Sequence, residues 1–322
     1  MGELLQLRDL TVELPTAAGW VKPVNGVSLG IPPGESLGLV GESGSGKTML
    51  SLALMGLLPA GARVSGEARL ASKGTSAKPL TELTEAEWRS VRGREIAMIF
   101  QEPMTSLNPV MRVGPQIEEA ILAHEPATAK EALDRRLLTA MEYASLPEPE
   151  VRARQFPHQL SGGLRQRAMI AMALAPSPKL LIADEPTTAL DVTVQRQILD
   201  LLDDLRRKLG LALLFITHDL GVVAKVADRV AVMYAGRLIE EGPTQKVLTS
   251  PKHPYTQGLL AASPTLERRT LTPIPGTVPR LTELPPGCAF APRCSYRRDE
   301  CDRAVPEFRP TGSDQAARCV LL

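Results

Sequence analysis

The chain has 322 residues, of which 43% are hydrophobic and 23% charged, and its formal net charge is +1. This composition is ordinary for a globular protein, and the near-zero charge gives no electrostatic reason to expect nucleic acid or an acidic membrane surface as a direct partner. The first residues mix Glu, Arg and Asp into apolar positions, unlike a secretory signal, and no segment approaches the roughly 18 apolar residues of a membrane span. We therefore expect a cytosolic protein whose membrane role, if it has one, comes through partners.

The first predicted strand, residues 36–40, leads into a glycine-rich loop, GESGSGKT. The loop follows the pattern G-x-x-x-x-G-K-[ST] at every constrained position, which a merely structural turn before a helix would not require. Its backbone N–H groups and the positive end of the next helix suit the oxygens of a phosphate. We expect Lys47 to reach the β- and γ-phosphates of ATP and Thr48 to coordinate Mg²⁺. The predicted phosphate-binding residues are Gly41, Glu42, Ser43, Gly44, Ser45, Gly46, Lys47 and Thr48.

A second apolar run, at residues 96–100, predicts another strand. The amino-acid composition changes after it. Between residues 105 and 159, Ala, Glu, Leu and Arg dominate, and no strand-like run occurs. This composition favours helices. We therefore predict a helical insertion and place a helical subdomain at about residues 105–165.

The apolar run at residues 180–183 is followed by two carboxylates. A strand that ends in this way would place Asp184 at the carboxyl edge of the sheet, beside the phosphates, where it can hold Mg²⁺. Glu185 is then the natural group to orient or activate the attacking water. An isolated Asp-Glu pair is more often a solvated strand end, but the phosphate loop upstream favours the catalytic interpretation.

Apolar side chains at helical spacing come next, and they stop before Gly210. Such a series predicts an amphipathic helix with a glycine terminator. Further apolar runs at residues 211–217 and 230–234 predict two more strands buried on both faces. Strand, helix and strand in this order mean a largely parallel sheet with helical crossovers, so the expected fold class is α/β. The apolar helix positions are Ile198, Leu201, Leu202, Leu205 and Leu209.

After about residue 264 the chain is rich in proline and contains all four cysteines, Cys288, Cys294, Cys301 and Cys319. We predict an ATP-binding domain at residues 1–258 and a small Cys-rich, proline-rich C-terminal extension at residues 259–322. Because a reducing cytosol disfavours structural disulfides, the cysteines indicate either a metal site or four unrelated buried thiols. A metal would stabilise loops with little core. The spacing lacks the close C-x-x-C pairs usual for zinc, whereas four thiolates suit a [4Fe–4S] cluster.

The phosphate loop, the segment LSGGLRQR at residues 160–167 and the segment LLIADEP at residues 180–186 together resemble the ATPase subunits of ABC transporters. The resemblance implies a P-loop NTPase of the ABC type, with a mixed-sheet core and a helical subdomain, in which two subunits complete each other's ATP sites. Gln101 resembles the Q-loop glutamine that senses magnesium, Asp191 the D-loop aspartate, and His218 the switch histidine that contacts the γ-phosphate. The residues that resemble the signature covering the γ-phosphate of the opposite subunit are Ser161, Gly162 and Gly163.

Two positions depart from the family pattern. Leu164 stands where the signature usually has glutamine; an apolar residue there is familiar in peptide-importer ATPases, so we interpret it as a subgroup trait. Many members also stack an aromatic residue on adenine, at a position that falls near Ala18 here. Trp20 is the aromatic residue nearby, and it is either this stacking residue or an ordinary surface or core tryptophan.

Three further segments resemble a narrower group, the ATPase subunits of bacterial dipeptide and oligopeptide importers. This resemblance implies an ATP hydrolase that energises the import of di- or oligopeptides, with nickel or another small solute as the alternative cargo. It implies a second ABC ATPase subunit, identical or homologous, two transmembrane permease subunits and, indirectly, an extracytoplasmic peptide-binding protein, but no nucleic acid. The chain would then act at the cytoplasmic face of the plasma membrane. The segments are EPMTSLNP (102–109), MYAGRLIEEGP (233–243) and HPYTQGLLAASP (253–264).

The tail PPGCAFAPRCSYRRDEC resembles the cluster-bearing C-terminal region of some dipeptide-importer ATPases. This resemblance favours a [4Fe–4S] cluster over zinc or unliganded thiols.

Two other classes of protein share some of these features. The ABC-type ATPases of translation usually join two such domains in one chain, and those of DNA repair insert a long coiled coil, whereas this chain has one motif set and a short insertion. A non-catalytic scaffolding subunit would be expected to lose Glu185 or His218, and both are present. The importer interpretation is therefore preferred.

Overall fold

The computed structural model describes residues 2–72, 75–101, 106–188, 190–263, 272–312 and 314–322. They form two compact units: the first combines Met1–Glu82 with Phe215–Leu322, and the second is Leu83–Leu214. The predicted domain boundary between residues 258 and 259 falls inside the first unit; it stays a prediction, as do the bounds of the helical subdomain. Residues 102–105 and residue 264, which belong to two of the importer-like segments, lie outside the described residues.

Strands and helices follow one another along most of the chain. The strands are β1 (Leu5–Thr16), β2 (Gly19–Ile31), β3 (Ser36–Val40), β4 (Arg63–Ser72), β5 (Thr75–Pro79), β6 (Ile96–Ile99), β7 (Leu180–Asp184), β8 (Ala212–Thr217), β9 (Arg229–Tyr234), β10 (Arg237–Pro243), β11 (Arg309–Pro310) and β12 (Ala316–Ala317). The helices are α1 (Lys47–Leu54), α2 (Glu85–Val91), α3 (Val113–Leu122), α4 (Lys130–Tyr143), α5 (Pro149–Ala153), α6 (Gly162–Leu174), α7 (Val192–Leu209), α8 (Leu220–Val226), α9 (Thr244–Thr249) and α10 (Pro254–Ala262).

The five strands predicted from apolar runs are β3, β6, β7, β8 and β9, and the structure confirms all of them. The first four are buried along their whole length, and β9 is buried at every residue after its first. In the first unit β3 pairs with β9 in parallel, and in the second unit β6 pairs with β7 in parallel. Strands buried on both faces need apolar residues at consecutive positions, which is why the sequence located them.

Antiparallel strands extend the parallel pair of the first unit. Strand β10 pairs antiparallel with β9, and the two short strands β12 and β11 follow it. The sheet is therefore mixed rather than wholly parallel. Because β11 and β12 come from the C-terminal extension, the extension is joined to the sheet by backbone hydrogen bonds.

A separate antiparallel sheet of the first unit, in the order β2-β1-β4-β5, was not predicted. Strand β1 alternates buried apolar residues such as Leu5, Leu7 and Val12 with polar residues that are partly or fully exposed. Alternation of this kind is typical of an antiparallel strand with one buried face. A search for continuous apolar runs passes over such strands, and this is the reason that the prediction missed them.

Helices dominate the second unit. Between residues 106 and 174, all of which the structure describes, there are helices and loops but no strand. Ile117 on α3, Leu137 on α4 and Ile170 on α6 are buried, so each of these helices contributes apolar side chains to the interior. Within the described part of the chain, no helix is both long and apolar enough to cross a membrane.

The C-terminal extension shares a hydrophobic core with the sheet of the first unit. One buried cluster contains Val40 from β3, Tyr234 from β9, Tyr255 from α10 and Phe290 from the extension. The ring centroids of Tyr234 and Phe290 lie 5.4 Å apart, and those of Tyr255 and Phe290 are also 5.4 Å apart, both in edge-to-face arrangements that favour aromatic pairs. The cluster packs the extension against the strand that precedes the phosphate loop.

Candidate functional site

The predicted phosphate loop connects β3 to α1. The backbone of Gly46, immediately before the helix, has a φ of 106°, and a Cβ at this position would lie 1.9 Å from the carbonyl oxygen of Pro23. Only glycine fits there. Lys47 opens the helix with a side chain that is 6% exposed, and its Nζ donates hydrogen bonds to the carbonyl oxygens of Gly41 at 2.7 Å and Glu42 at 3.0 Å. The loop therefore curls around the lysine that the sequence assigned to the phosphates.

Glu42, the second residue of the loop, is held by residues outside it. Arg293 of the extension donates two hydrogen bonds to its carboxylate, from Nη1 to Oε2 at 2.7 Å and from Nη2 to Oε1 at 3.0 Å. The backbone N–H of Glu42 donates to the hydroxyl of Tyr255 at 2.8 Å. The side chain of Arg293 is 4% exposed, and hydrogen bonding to Glu42 raises the pKa of Arg293. Sequence reasoning missed this contact, because no motif joins two residues so far apart in the chain.

The predicted magnesium and water residues lie in the second unit, at the end of β7. Asp184 is the last residue of this buried strand and is 2% exposed. Glu185 follows with a φ of 46°, a left-handed conformation that is costly for a residue with a side chain and is often found at functional sites. Its Oε2 accepts hydrogen bonds from Nε2 of Gln101 at 3.0 Å and from Oγ1 of Thr188 at 3.0 Å. The structure thus brings the predicted Gln101 and Glu185 together and adds Thr188.

The predicted signature and D-loop residues, which belong to the second unit, lie at the starts of two helices. Ser161 precedes α6, and its Oγ accepts a hydrogen bond from the N–H of Leu164 at 3.3 Å. Asp191 precedes α7, and its Oδ1 accepts from the N–H of Val194 at 2.9 Å. Both side chains are N-caps, which is a structural role for these residue types. Ser161, Gly162 and Asp191 are also exposed, so a partner can reach them.

His218 follows β8 in the first unit, and its side chain is exposed. The next residue, Asp219, begins α8 and accepts a hydrogen bond from the N–H of Gly221 at 2.7 Å. The histidine therefore lies at the carboxyl end of a buried strand, as predicted. Its contact with a γ-phosphate stays a prediction.

Trp20 lies on β2 of the first unit and is 45% exposed. The guanidinium carbon of Arg63 lies 3.9 Å from the centre of its ring, a cation–π contact. The indole is thus a surface side chain with one face covered by a cation. Stacking of adenine on Trp20 stays a prediction.

The four cysteines line one small pocket of the extension, together with His253 and Phe290. Burial raises the pKa of the Cys288 thiol to about 11, although the backbone N–H of Phe290 donates to its sulfur. The N–H of Arg298 likewise lies 3.5 Å from the sulfur of Cys301. Among the described residues, no three His, Cys, Asp or Glu side chains are arranged closely enough to hold a metal ion. The thiols converge, but as described they do not form a metal site.

Two protein families match the chain. Residues 24–188 match the family described as ABC transporter, and residues 239–301 match the oligopeptide/dipeptide transporter, C-terminal region. The second match includes three of the four cysteines.

Several curated proteins are similar to the chain over almost its whole length. The oligopeptide transport ATP-binding protein OppD of Bacillus subtilis (strain 168) is 53% identical, covering 95% of this chain and 86% of that protein. OppD of Escherichia coli (strain K12) is 49% identical, covering 95% and 90% respectively. The dipeptide transport ATP-binding protein DppD of Bacillus subtilis (strain 168) is 48% identical, covering 100% and 95%.

Solved structures of ATP-binding cassettes are similar as well. The dimeric structure of the bacterial ABC transporter cassette MJ0796 is 29% identical with a TM-score of 0.64, covering 74% of this chain and 98% of that one. A dimeric post-hydrolysis state of the same cassette, bound to ADP and Pi, also has a TM-score of 0.64, at 27% identity and the same coverage.

Proposed function

This chain belongs to the ATP-binding subunits of ABC transporters, and we propose that it binds and hydrolyses ATP to energise the import of di- and oligopeptides. The observation that carries the proposal is the identity of 48–53% with the oligopeptide and dipeptide transport proteins, over at least 95% of the chain. The similarity includes the C-terminal extension, much of which matches the C-terminal region of the oligopeptide/dipeptide transporter family. The fold is that of the ABC cassettes, a P-loop domain with a mixed sheet and helices.

The residues of the first unit have separate roles in this proposal. The N–H groups of the phosphate loop and the ammonium group of Lys47 bind the phosphates. The ammonium group lies inside the loop, where it donates to the carbonyl oxygens of Gly41 and Glu42. His218 contacts the γ-phosphate, and Trp20 stacks on adenine; both roles rest on the family resemblance.

The residues of the second unit act on magnesium and water. On the family resemblance, the hydroxyl of Thr48 and the carboxylate of Asp184 would supply oxygen ligands of the kind that Mg²⁺ prefers. The ion would neutralise phosphate charge. Glu185 accepts the proton of the attacking water or orients it. The amide of Gln101 and the hydroxyl of Thr188 donate to its Oε2, and these two bonds fix the carboxylate.

The protein partners of the subunit are inferred from the same family. Ser161, Gly162, Gly163 and Asp191 serve the ATP site of a second ATPase subunit, identical or homologous. Two transmembrane permease subunits hold the pair at the cytoplasmic face of the plasma membrane and receive peptide from an extracytoplasmic binding protein. The exposure of Ser161 and Asp191 supports this role, because a residue that serves another subunit must be accessible before the two associate.

Uptake measurements test the function directly. Cells that lack the gene are complemented with wild type or with Lys47→Ala, and the uptake of labelled dipeptides, oligopeptides and nickel is followed. We expect peptide uptake to be lost without the gene and restored by wild type but not by Lys47→Ala. Unchanged peptide uptake with a fall in nickel uptake would assign the subunit to the alternative cargo.

The four cysteines support a finer proposal, a [4Fe–4S] cluster in the extension. Four thiols that line one pocket are the correct donors in number and kind, and N–H groups directed at sulfur tune such clusters. Because the thiols are not close enough for a metal as described, the loops that carry them would have to shift around the cluster. Protein prepared without oxygen should contain iron and labile sulfide, both lost in Cys288→Ser. Zinc in their place, or no metal at all, would refute the cluster.

A further inference from the structure

The importer-like segment at residues 253–264 has no role in the function proposed above, yet part of it contacts the phosphate loop. Tyr255 is the second residue of α10 and is fully buried. Its hydroxyl accepts a hydrogen bond from the N–H of Glu42 at 2.8 Å. Helix α10 and the loop both belong to the first unit. The helix is therefore bonded to a backbone group of the loop itself.

This hydrogen bond fixes the orientation of one peptide group. The carbonyl of Gly41 and the N–H of Glu42 belong to the same peptide group, which is planar. The N–H is bonded to Tyr255, and the carbonyl oxygen accepts a hydrogen bond from Nζ of Lys47 at 2.7 Å. Because the group is planar, a rotation that breaks one of these bonds also moves the other. The hydroxyl of Tyr255 therefore controls a carbonyl that holds the ammonium group.

The rest of the loop is closed around the same lysine. The carbonyl oxygen of Glu42 accepts from Nζ of Lys47 at 3.0 Å and from the N–H of Ser45 at 3.2 Å. The carbonyl oxygen of Ser45 in turn accepts from the N–H of Gly236, in the turn between β9 and β10, at 2.9 Å. The loop is thus held from outside at its second residue by Tyr255 and at its fifth by Gly236.

Tyr255 is itself held in place, as a residue that positions another must be. Its ring centroid lies 4.6 Å from that of Tyr234 in the buried cluster. The start of its helix is tied to β10, because the N–H groups of Lys252 and His253 donate to the buried carboxylate of Glu240 at 2.6 Å and 2.9 Å. The hydroxyl is therefore presented to the loop from a rigid support.

We propose that Tyr255 is a positioning residue for ATP binding, because its hydroxyl orients the peptide group that holds the ammonium group of Lys47. This role rests on the proposed function, in which Lys47 binds the phosphates of ATP. Tyr255 acts through the loop and is assigned no contact with the nucleotide. A binding group that is already in position does not have to be ordered when the ligand binds. Loss of the hydroxyl should therefore weaken ATP binding.

Tyr255→Phe tests this role, since it removes the hydroxyl and keeps the buried ring. Titration calorimetry on the full chain, with ATP and without Mg²⁺ so that hydrolysis does not interfere, should show affinity about fivefold weaker or more, the effect of one hydrogen bond. Unchanged affinity would overturn the proposal. Circular dichroism checks that the variant is folded.

Tyr234→Phe is the matched control. It is the same substitution in the same buried cluster, but the hydroxyl of Tyr234 contacts the side chain of Arg293 at 3.3 Å and not the backbone of the loop. Its affinity for ATP should stay within about twofold of wild type, because Arg293 keeps both of its hydrogen bonds to Glu42. An equal loss of affinity in both variants would indicate a general effect of packing and overturn the positioning role.

The NMR signal of the Lys47 ammonium group, recorded without nucleotide, separates positioning from stability. Hydrogen-bonded protons that are shielded from water exchange slowly, and Lys47 is 6% exposed. The signal, assigned by its loss in Lys47→Ala, should be present in wild type and Tyr234→Phe and broadened by exchange in Tyr255→Phe. An unchanged signal in Tyr255→Phe, or none in wild type, would overturn the proposal. A wild type that shows the signal but binds no ATP would refute the proposed function instead.

Discussion

Arg293 and Glu42 connect the C-terminal extension to the phosphate loop through one ion pair. The guanidinium and the carboxylate meet in two parallel hydrogen bonds, the strong geometry for this pair of groups. The arginine side chain is almost fully buried and that of Glu42 is 28% exposed. Removal of one partner from such a pair leaves a charge that water cannot fully solvate. The hydroxyl of Tyr234, 3.3 Å from Nη1 of Arg293, cannot replace the lost charge.

We expect Arg293→Gln and Glu42→Gln each to lower the free energy of unfolding by about 2–3 kcal/mol. The double variant should lose less than the sum of the two single losses, because the two residues interact. ATP affinity should fall with each single change, since Glu42 belongs to the loop that we propose binds the phosphates. Chemical denaturation and nucleotide titration measure the two effects.

The control for these variants is Arg280→Gln, which removes an exposed arginine of the same extension. Exposed ion pairs contribute little, so its unfolding free energy should change by less than about 0.5 kcal/mol. A strictly additive double variant, or single variants as stable as this control, would show that the ion pair does not hold the loop.

At the scale of elements, α7 shows what a sequence pattern does and does not predict. Its end was predicted correctly at Gly210, because the buried Ile198 and Leu202 mark one face and glycine terminates it. Its start was not predicted, because the first turn carries exposed residues such as Val192, which is 83% exposed. Asp191, the N-cap residue, could have marked the start of the helix. From the sequence it was interpreted only as the D-loop aspartate.

The residue that ends α7 gives a prediction at this scale. Gly210 has a φ of 63°, and a Cβ placed there would meet no atom within 4 Å. Gly210→Ala should therefore cost only the backbone strain of a left-handed alanine, about 1 kcal/mol of unfolding free energy. Thermal and chemical denaturation measure it.

Gly312→Ala is the matched control, since its Cβ also meets nothing within 4 Å and its φ is not in the left-handed range. This variant should be as stable as wild type. Equal stability of both alanine variants would show that the helix does not require a left-handed residue at its end.

At the scale of the whole molecule, the predicted site residues are divided between two units. Local patterns predicted the phosphate loop, Asp184 and Glu185 as site residues, because each lies at or just after the end of a strand buried on both faces, and strand ends carry the chemistry of an α/β fold. The pairing of Arg293 with Glu42 and the convergence of four cysteines depend on long-range packing, which no local pattern encodes.

A substitution at Glu185 tests the role of the whole subunit. Glu185→Gln keeps the size of the side chain and an oxygen that can accept from Gln101 and Thr188, but it removes the carboxylate that would activate water. We expect ATP binding to persist, hydrolysis to be abolished, and a dimer to accumulate with ATP. Phosphate release and analytical ultracentrifugation measure these outcomes.

Thr188→Val is the companion variant, since it removes one hydrogen bond to the carboxylate and leaves the carboxylate itself. It should reduce turnover several-fold without abolishing it. Sustained steady-state hydrolysis by Glu185→Gln would remove this residue from the catalytic role.

The ion pair between Arg293 and Glu42 also sets a rule for exchanging parts between related subunits. A chimaera that joins residues 1–258 of this chain to the extension of a relative without an arginine in this position would give Glu42 no cationic partner. Glu42 and Arg293 should therefore be transplanted as a pair. The extension is for this reason a structural support of the predicted phosphate loop and not a detachable tail.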